Sequence, residues 1–220
     1  MNRATAAQSQ KPRLKNRWPS RRAPENTRDR LLWEARIILE DGGYAAASVQ
    51  AIAYRCGIAA GTLYRHFPSK ADLFVELVRE AANRDITAMK KAASSGNTIE
   101  RLEVVVATFA RRALRKRRLA WALVYEPVDP AVDEARLLYR REYCAQMAKL
   151  LLRGIAAGEI PPQNPDLSAA AIVGAIAESM AGPLAPRSKA TPPDLLIATL
   201  VQFCRRSLGI PDSSPTPDLL

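Results

Sequence analysis

The chain has 220 residues, of which 25% are charged, and its formal net charge is +11. This length predicts one large domain or two small ones. The sequence contains no run of about 20 apolar residues, which a membrane-spanning helix would need. The basic N-terminus also lacks the apolar stretch of a secretory signal. We therefore expect a cytoplasmic protein with no membrane partner.

Basic charge is concentrated in the N-terminal third of the chain. Residues 1–70 carry 13 Lys or Arg against 5 Asp or Glu, whereas residues 71–220 carry 20 against 17. Residues 1–26 are basic, contain three prolines and have few apolar residues, which predicts a disordered arm. Such an arm either follows DNA phosphates or the minor groove or is only a solvated tail. The uneven charge favours a nucleic-acid partner for the N-terminal third.

Three short helices are predicted after this arm. The first spans about residues 27–41, with apolar residues at helical spacing, and ends at two glycines. The second spans about residues 48–56 and ends at Gly57, where a left-handed residue terminates a helix at low cost. The third spans about residues 60–67 and is stopped by Pro68. Two helices joined at a glycine, the second with polar and aromatic outward side chains, predict a helix-turn-helix.

A set of residues at fixed spacing within this region resembles the N-terminal domain of the tetracycline-repressor (TetR) family. The resemblance covers about residues 27–75. The matching residues are Gly43-Tyr44, Ser48-Val49, Ile52-Ala53, Gly57-Ile58, Gly61-Thr62-Leu63-Tyr64-Arg65-His66-Phe67, Ser69-Lys70 and Leu73-Phe74.

The resemblance implies an all-α protein with an N-terminal three-helix helix-turn-helix DNA-binding domain, residues 27–75. A helical ligand-binding and dimerisation domain, residues 76–210, would follow it, with a flexible tail at residues 211–220. It also implies a ligand-responsive transcriptional repressor that binds double-stranded DNA as a homodimer on a near-palindromic operator. Activation instead of repression stays open, as does a non-specific or architectural nucleic-acid-binding protein.

The resemblance assigns DNA-binding roles by position. Arg65 is expected to contact a base edge, preferably guanine, and Gln50 is a second candidate for base contact. The remaining side chains are expected to hold phosphates or line the reading helix. The full set is Ser48, Gln50, Ala60, Gly61, Thr62, Tyr64, Arg65, His66 and Lys70.

The start of the reading helix departs from the family pattern. Members usually have a capping residue near position 59, but Ala59 and Ala60 have no polar side-chain group. A missing N-cap costs about 1 kcal/mol. Gln50, Thr62 and Arg65 would therefore contribute more of the specificity, unless part of the readout comes from DNA shape.

Helical patterns continue to the end of the chain. Thr98 is expected to cap the fifth helix, whose apolar stripe ends in a basic cluster from Arg111 to Arg118. These cations either stabilise the helix C-terminus or face the DNA backbone. The other predicted helices span about residues 70–93, the segment around 121–125, and residues 131–157, 166–184 and 192–208.

Aromatic and methionine side chains in the body are candidate lining residues for an inducer. Such a stripe is more often plain core, but the family encloses a ligand between these helices, and this composition would suit a small apolar or aromatic molecule. The candidates are Phe109, Trp121, Tyr125, Tyr139, Tyr143 and Met147. The last two helices are apolar, and they either form a four-helix dimer bundle or close a monomeric core.

Catalysis is not expected. His66 is the only histidine and lies in the reading helix, and there is no glycine-rich phosphate loop and no paired carboxylate. Cys56, Cys144 and Cys204 are widely spaced and form neither a metal-ligand pattern nor a disulfide framework. We therefore expect no metal and no cofactor.

Overall fold

The computed structural model describes residues 24, 26–188 and 191–211, and within these residues the chain is all-α, as expected. Most of the predicted arm and of the predicted C-terminal tail lies outside the described residues. The helices are α1 (Thr27–Ala46), α2 (Val49–Cys56), α3 (Ala60–His66), α4 (Lys70–Ala92), α5 (Thr98–Arg115), α6 (Arg117–Val124), α7 (Pro130–Ala156), α8 (Pro165–Leu184) and α9 (Pro193–Ser207).

The first helix begins where the sequence predicts, and it is kinked at the predicted glycines but continues to Ala46. The Asn26 side chain caps α1 by accepting a hydrogen bond from the Asp29 backbone N–H. Regular helix stops at Gly43, whose φ of 74° and ψ of −168° lie in a region that is essentially restricted to glycine. The last turn of α1, which contains Tyr44, therefore leaves the helix axis and leads into α2.

Two hydrophobic clusters organise the chain. The first lies under α1–α4, includes Leu31, Ile52 and Leu63, and continues into α6 and α7 through Leu123 and Val132. The first cluster therefore extends beyond the predicted domain boundary at residue 75, because α6 and the start of α7 contribute to the core of the N-terminal head. The second cluster is formed by α5, the second half of α7, α8 and α9.

The cap of α5 corrects one expectation. Asn97, not Thr98, is the N-cap, and it forms a reciprocal capping box with Glu100. Thr98 is the first helical residue, and its backbone N–H donates to Glu159 at 2.7 Å. The amide of Asn97 is at least as good a cap as a threonine hydroxyl, and Glu100 occupies the box position relative to Asn97.

Helix α8 is strongly apolar, although the sequence contains no uninterrupted run of about 20 apolar residues. By length and composition α8 could cross a membrane. Core helices of soluble proteins pass the same test. Here α8 packs extensively along α7, and it leaves a small-residue face open.

Candidate DNA-binding site and head–body junction

The second helix is fixed by local chemistry at both ends. Ser48 is its N-cap and accepts a hydrogen bond from the Ala51 N–H at 3.1 Å. Gly57 ends the helix with a φ of 67°, and the Ile58 N–H donates to the Ala53 carbonyl across the turn. The Ser48 cap and the terminating Gly57 were predicted, and together with the turn hydrogen bond they set the angle at which α3 leaves α2.

The reading helix is held by one apolar side chain and exposes others. Leu63 is fully buried, whereas Arg65 is exposed and Tyr64 is 52% exposed. No side chain caps α3 at Ala59, which confirms the expected weakness. Of the other predicted contacts, Gln50 and Gly61 are exposed, and Ser48, Ala60, Thr62, His66 and Lys70 are half-buried.

Sequence reasoning missed Tyr54. Its side chain is 69% exposed, although tyrosine is usually at least partly covered. It lies four residues after Gln50 on α2, so the two side chains share one face of the helix. That spacing was the available signal, and it adds an aromatic side chain to the exposed surface of the helix-turn-helix.

A buried carboxylate ties the first two helices together. Glu34 on α1 is 3% exposed, and it accepts a hydrogen bond from Arg55 Nε on α2 at 2.7 Å. A buried charge needs such a partner. The pairing of positions 34 and 55 gave no sequence signal, because it depends on how α2 lies across α1.

Lys70, predicted to hold a phosphate, has partners inside the protein. Its ammonium donates to the Tyr44 carbonyl at 3.2 Å and lies 3.8 Å from the centre of the Tyr44 ring. Burial lowers the pKa of Lys70, although the nearby carboxylate of Asp129 opposes that shift. The phosphate contact stays a prediction.

Tyr44 lies where the head meets the body. Its backbone N–H donates to Glu126 at 2.6 Å and its hydroxyl donates to Asp129. Both carboxylates belong to the segment between α6 and α7. Burial, together with the hydrogen bond to Asp129, raises the pKa of Tyr44 to about 12. Its ring packs edge-on against Phe74 of α4, with ring centres 4.4 Å apart.

The basic cluster around the end of α5 makes ion pairs within the protein. Arg112 pairs with Asp85 of α4 at 2.6 Å. Lys116 pairs with Glu40 of α1, and Arg118 pairs with Glu126. The pairs of Arg112 and Lys116 join the end of α5 to α4 and α1, whereas Arg118 pairs with the segment that follows its own helix. These charges therefore stabilise packing within the protein.

Five of the six candidate lining residues are divided between the two hydrophobic clusters, and the role of all six in binding a ligand stays a prediction. Phe109 packs edge-on against Tyr143 with ring centres 5.9 Å apart. Trp121 stacks on Tyr125 at 5.2 Å, and the Tyr125 hydroxyl donates to the carbonyl of residue 177. Met147 is buried in the second cluster, whereas Tyr139 packs against the first.

An open groove of about 450 Å³ lies between α4 and α7. Of the six candidates only Tyr139 lines it, and most of its other side chains are polar. The lining residues are Asn83, Ile86, Thr87, Lys90, Leu138, Tyr139 and Glu142. Asp85, which pairs with Arg112 of α5, lies on α4 between the lining residues Asn83 and Ile86. Burial raises the pKa of Asp85, although Arg112 opposes the shift. Across the described residues, no group of three or more metal-ligating side chains comes together.

A capped helix-turn-helix that exposes Tyr64 and Arg65, fused to a helical body, defines a regulatory protein of the helix-turn-helix class. Two family models match the chain in adjacent stretches. "Bacterial regulatory proteins, tetR family" matches residues 31–77, and "Tetracyclin repressor-like, C-terminal domain" matches residues 95–181. The two matches together cover more than half of the chain, and the chain belongs to the TetR family. This family consists of regulators rather than enzymes, which confirms the prediction that the chain is not an enzyme.

Curated relatives resemble about half of the chain. The HTH-type transcriptional repressor KstR of Mycolicibacterium smegmatis is 36% identical over 102 residues, which are 46% of this chain and 50% of the relative. KstR of Mycobacterium tuberculosis is 35% identical over 102 residues, 46% of each chain. The chain thus spans about half the length of the curated relatives that it matches.

Solved structures share the fold over most of the chain. The fatty acid degradation regulator FadR from Bacillus halodurans has a TM-score of 0.71 at 21% identity, covering 80% of this chain and 93% of the other. FadR from Bacillus subtilis, solved in complex with stearoyl-CoA, has a TM-score of 0.70 at 21% identity, covering 80% and 96%. At this identity the likeness concerns the fold.

Proposed function

We propose that this chain is a sequence-specific DNA-binding transcriptional regulator that acts as a ligand-responsive repressor in the bacterial cytoplasm. The observation that carries the proposal is the arrangement of α3. Leu63 anchors it in the core, while Tyr64 and Arg65 stand on its open side. A helix held by its apolar side, with a guanidinium facing outward, suits the major groove.

Arg65 supports the strongest test of specificity. Bound sequences are selected from random DNA, and the affinity of Arg65→Ala is then measured on the selected site and on each single-base variant of that site. Arg65→Ala is expected to lose roughly 1–3 kcal/mol of discrimination at one base position. Arg153→Ala is the control, because Arg153 is an exposed arginine of α7 in the body and its loss removes the same charge. Equal losses on every sequence for Arg65→Ala would favour the non-specific architectural binder instead.

The homodimer is supported by the open face of α8 and α9. Leu167 on α8 is 69% exposed, and Leu195 and Phe203 on α9 are 43% and 48% exposed. Large apolar side chains this exposed make the two helices a candidate interaction site. A two-fold dimer would also place two reading helices on paired half-sites of a near-palindromic operator.

The dimer is tested by measuring molar mass in solution by light scattering. Phe203→Arg is expected to yield a monomer, because it places a charge in the middle of the proposed interface. Leu138→Arg, on the equally exposed apolar surface of α7, is expected to stay a dimer. A monomeric wild-type chain, or dissociation by both variants, would contradict the α8–α9 interface.

A ligand in the body would shift the spacing of the two heads, and α4 would transmit the shift because it joins head to body. The groove between α4 and α7 supports entry at that place. Stearoyl-CoA, the molecule in the Bacillus subtilis FadR structure, is the first probe of an apolar inducer. Weaker binding to the selected DNA in its presence supports this ligand class, and unchanged binding excludes it.

A further inference from the structure

We propose that Tyr44 is a positioning residue through which the segment between α6 and α7 holds the end of the reading helix. This inference rests on the proposed function and adds to α4 a second connection between body and head. We call the contacts among Gly43, Tyr44, Lys70, Glu126 and Asp129 the Tyr44 junction.

Every polar group of Tyr44 has a partner at the junction. The backbone N–H donates to Glu126 at 2.6 Å and the hydroxyl donates to Asp129. The carbonyl accepts from Lys70 Nζ at 3.2 Å, and the same ammonium lies 3.8 Å from the ring centre. Tyr44 thus forms hydrogen bonds with two carboxylates of the body, Glu126 and Asp129, and with Lys70, the first residue of α4.

Lys70 transmits this contact to α3. Only Phe67, Pro68 and Ser69 separate it from the last residue of the reading helix. Phe67 is buried, and Pro68 has a fixed φ, so this short connection has little slack. The position of the Lys70 ammonium therefore constrains where the C-terminal end of α3 lies.

The body approaches the head closely at Gly43, the residue before Tyr44. A Cβ on Gly43 would collide with the guanidinium of Arg118 and with the carboxylate of Glu126, which form an ion pair with each other. Arg118 lies at the start of α6 and Asp129 immediately precedes α7. A displacement of α6 or α7 would therefore reach the head directly at Gly43 and Tyr44.

The charges at the junction favour the docked arrangement that the structure shows. With the α6–α7 segment docked, Asp129 stabilises the charge of the partly buried Lys70. If the segment withdraws, Tyr44 loses the partners of its N–H and hydroxyl, and the Lys70 ammonium loses its nearby counter-charge. The docked arrangement fixes α3 and is the one that binds specific DNA.

The test compares two carboxylates at the start of α7. Asp129→Ala removes the partner of the Tyr44 hydroxyl, and Asp129 makes no side-chain capping bond to α7. Asp133→Ala is the matched control, because it removes the same charge one turn further on, where the carboxylate bonds Arg136. Tyr44→Phe removes only the hydroxyl and keeps the ring under Lys70.

Two measurements are made on the full-length chain. In hydrogen exchange without DNA, Asp129→Ala and Tyr44→Phe are expected to speed exchange at residues 63–73, and Asp133→Ala is expected to leave it unchanged. In DNA binding, the ratio of affinities for selected and random DNA is expected to fall about 3- to 10-fold in both variants, as for loss of one partly exposed charge-assisted hydrogen bond. The double variant is expected to be no worse than either single one.

The outcomes separate this proposal from the proposed function. If Asp129→Ala matches Asp133→Ala in both measurements, the junction does not position the reading helix and the inference is overturned. If the wild-type chain shows no preference for any selected DNA, the proposed function fails, while the exchange measurement still decides whether the junction holds α3. Additive effects of Tyr44→Phe and Asp129→Ala would also contradict the inference.

Discussion

Adding a cap to the start of the reading helix is expected to stabilise the protein, and the backbone geometry at residue 59 supports this expectation. Ala59 has φ −70° and ψ 146°, and Ser48, which caps α2, has φ −73° and ψ 156°. The backbone at residue 59 is therefore already in the conformation of a working serine cap. Because Ala59 is exposed, a hydroxyl there meets no packed neighbour. It can share the Thr62 N–H, which already donates to the Ala59 carbonyl at 2.9 Å.

Ala59→Ser is expected to raise the free energy of unfolding by about 1 kcal/mol, the usual difference between serine and alanine at an N-cap. For a chain of this length that corresponds to a rise in melting temperature of about 2–4 °C. Ser48→Ala, the reverse change at the matched position, is expected to lower stability by about the same amount.

Urea titrations of both variants, without DNA and at one protein concentration, measure the two effects. A fixed concentration is needed because dimerisation couples stability to protein concentration. If Ser48→Ala destabilises the protein but Ala59→Ser has no effect, similarity of backbone angles is not sufficient for capping. The missing cap would then not weaken α3, which would refute the reasoning.

Three further predictions concern backbone conformation, packing and thiol chemistry. Gly43→Ala is expected to cost about 1–3 kcal/mol in unfolding free energy, more than Gly57→Ala, because Gly43 has both a glycine-only conformation and close neighbours, whereas a Cβ at Gly57 meets nothing within 4 Å. Leu151→Ala, in the body core, is expected to cost about 2–5 kcal/mol by thermal unfolding, and its exposed neighbour Leu152→Ala only about 0.5 kcal/mol or less. Cys144 is expected to react with a maleimide at neutral pH before the other two thiols, as measured by mass spectrometry of peptides, because Cys56 and Cys204 are buried and Cys144 is half-buried. Burial raises the pKa of all three thiols, to about 11 for Cys56 and Cys204. Earlier labelling of either buried thiol would contradict this order.

The reading helix could largely be predicted because its boundaries depend on neighbouring residues. Ser48 caps α2, Gly57 ends it, and Pro68 prevents α3 from continuing. Each effect involves residues only a few positions apart, so the sequence alone contains the information. The same locality accounts for the missing cap at Ala59. The error at α5 was also local, since Asn97 and Thr98 are adjacent candidates and only Asn97 has a glutamate at the box position.

The packing of the candidate lining residues could not be predicted in the same way. Aromatic spacing on α7 placed Tyr139 and Tyr143 on one stripe, but it could not tell that Tyr139 faces the head cluster while Tyr143 packs on Phe109. Which side chains share a cavity depends on the rotation of each helix about its own axis. That rotation is set by contacts with helices far away in the sequence.

The sequence by itself determined the order of the helices, the helix-turn-helix and its exposed arginine, since these follow from periodicity, caps and glycine conformations. Only the tertiary structure decided that Glu34 pairs with Arg55 and that Lys70 lies on Tyr44. It also decided that Tyr44 bonds to two carboxylates more than 80 residues away in the sequence. The physical reason is that hydrogen bonds and ion pairs act over a few ångströms in space. Spacing along the chain predicts such contacts only when the partners lie on the same helical turn.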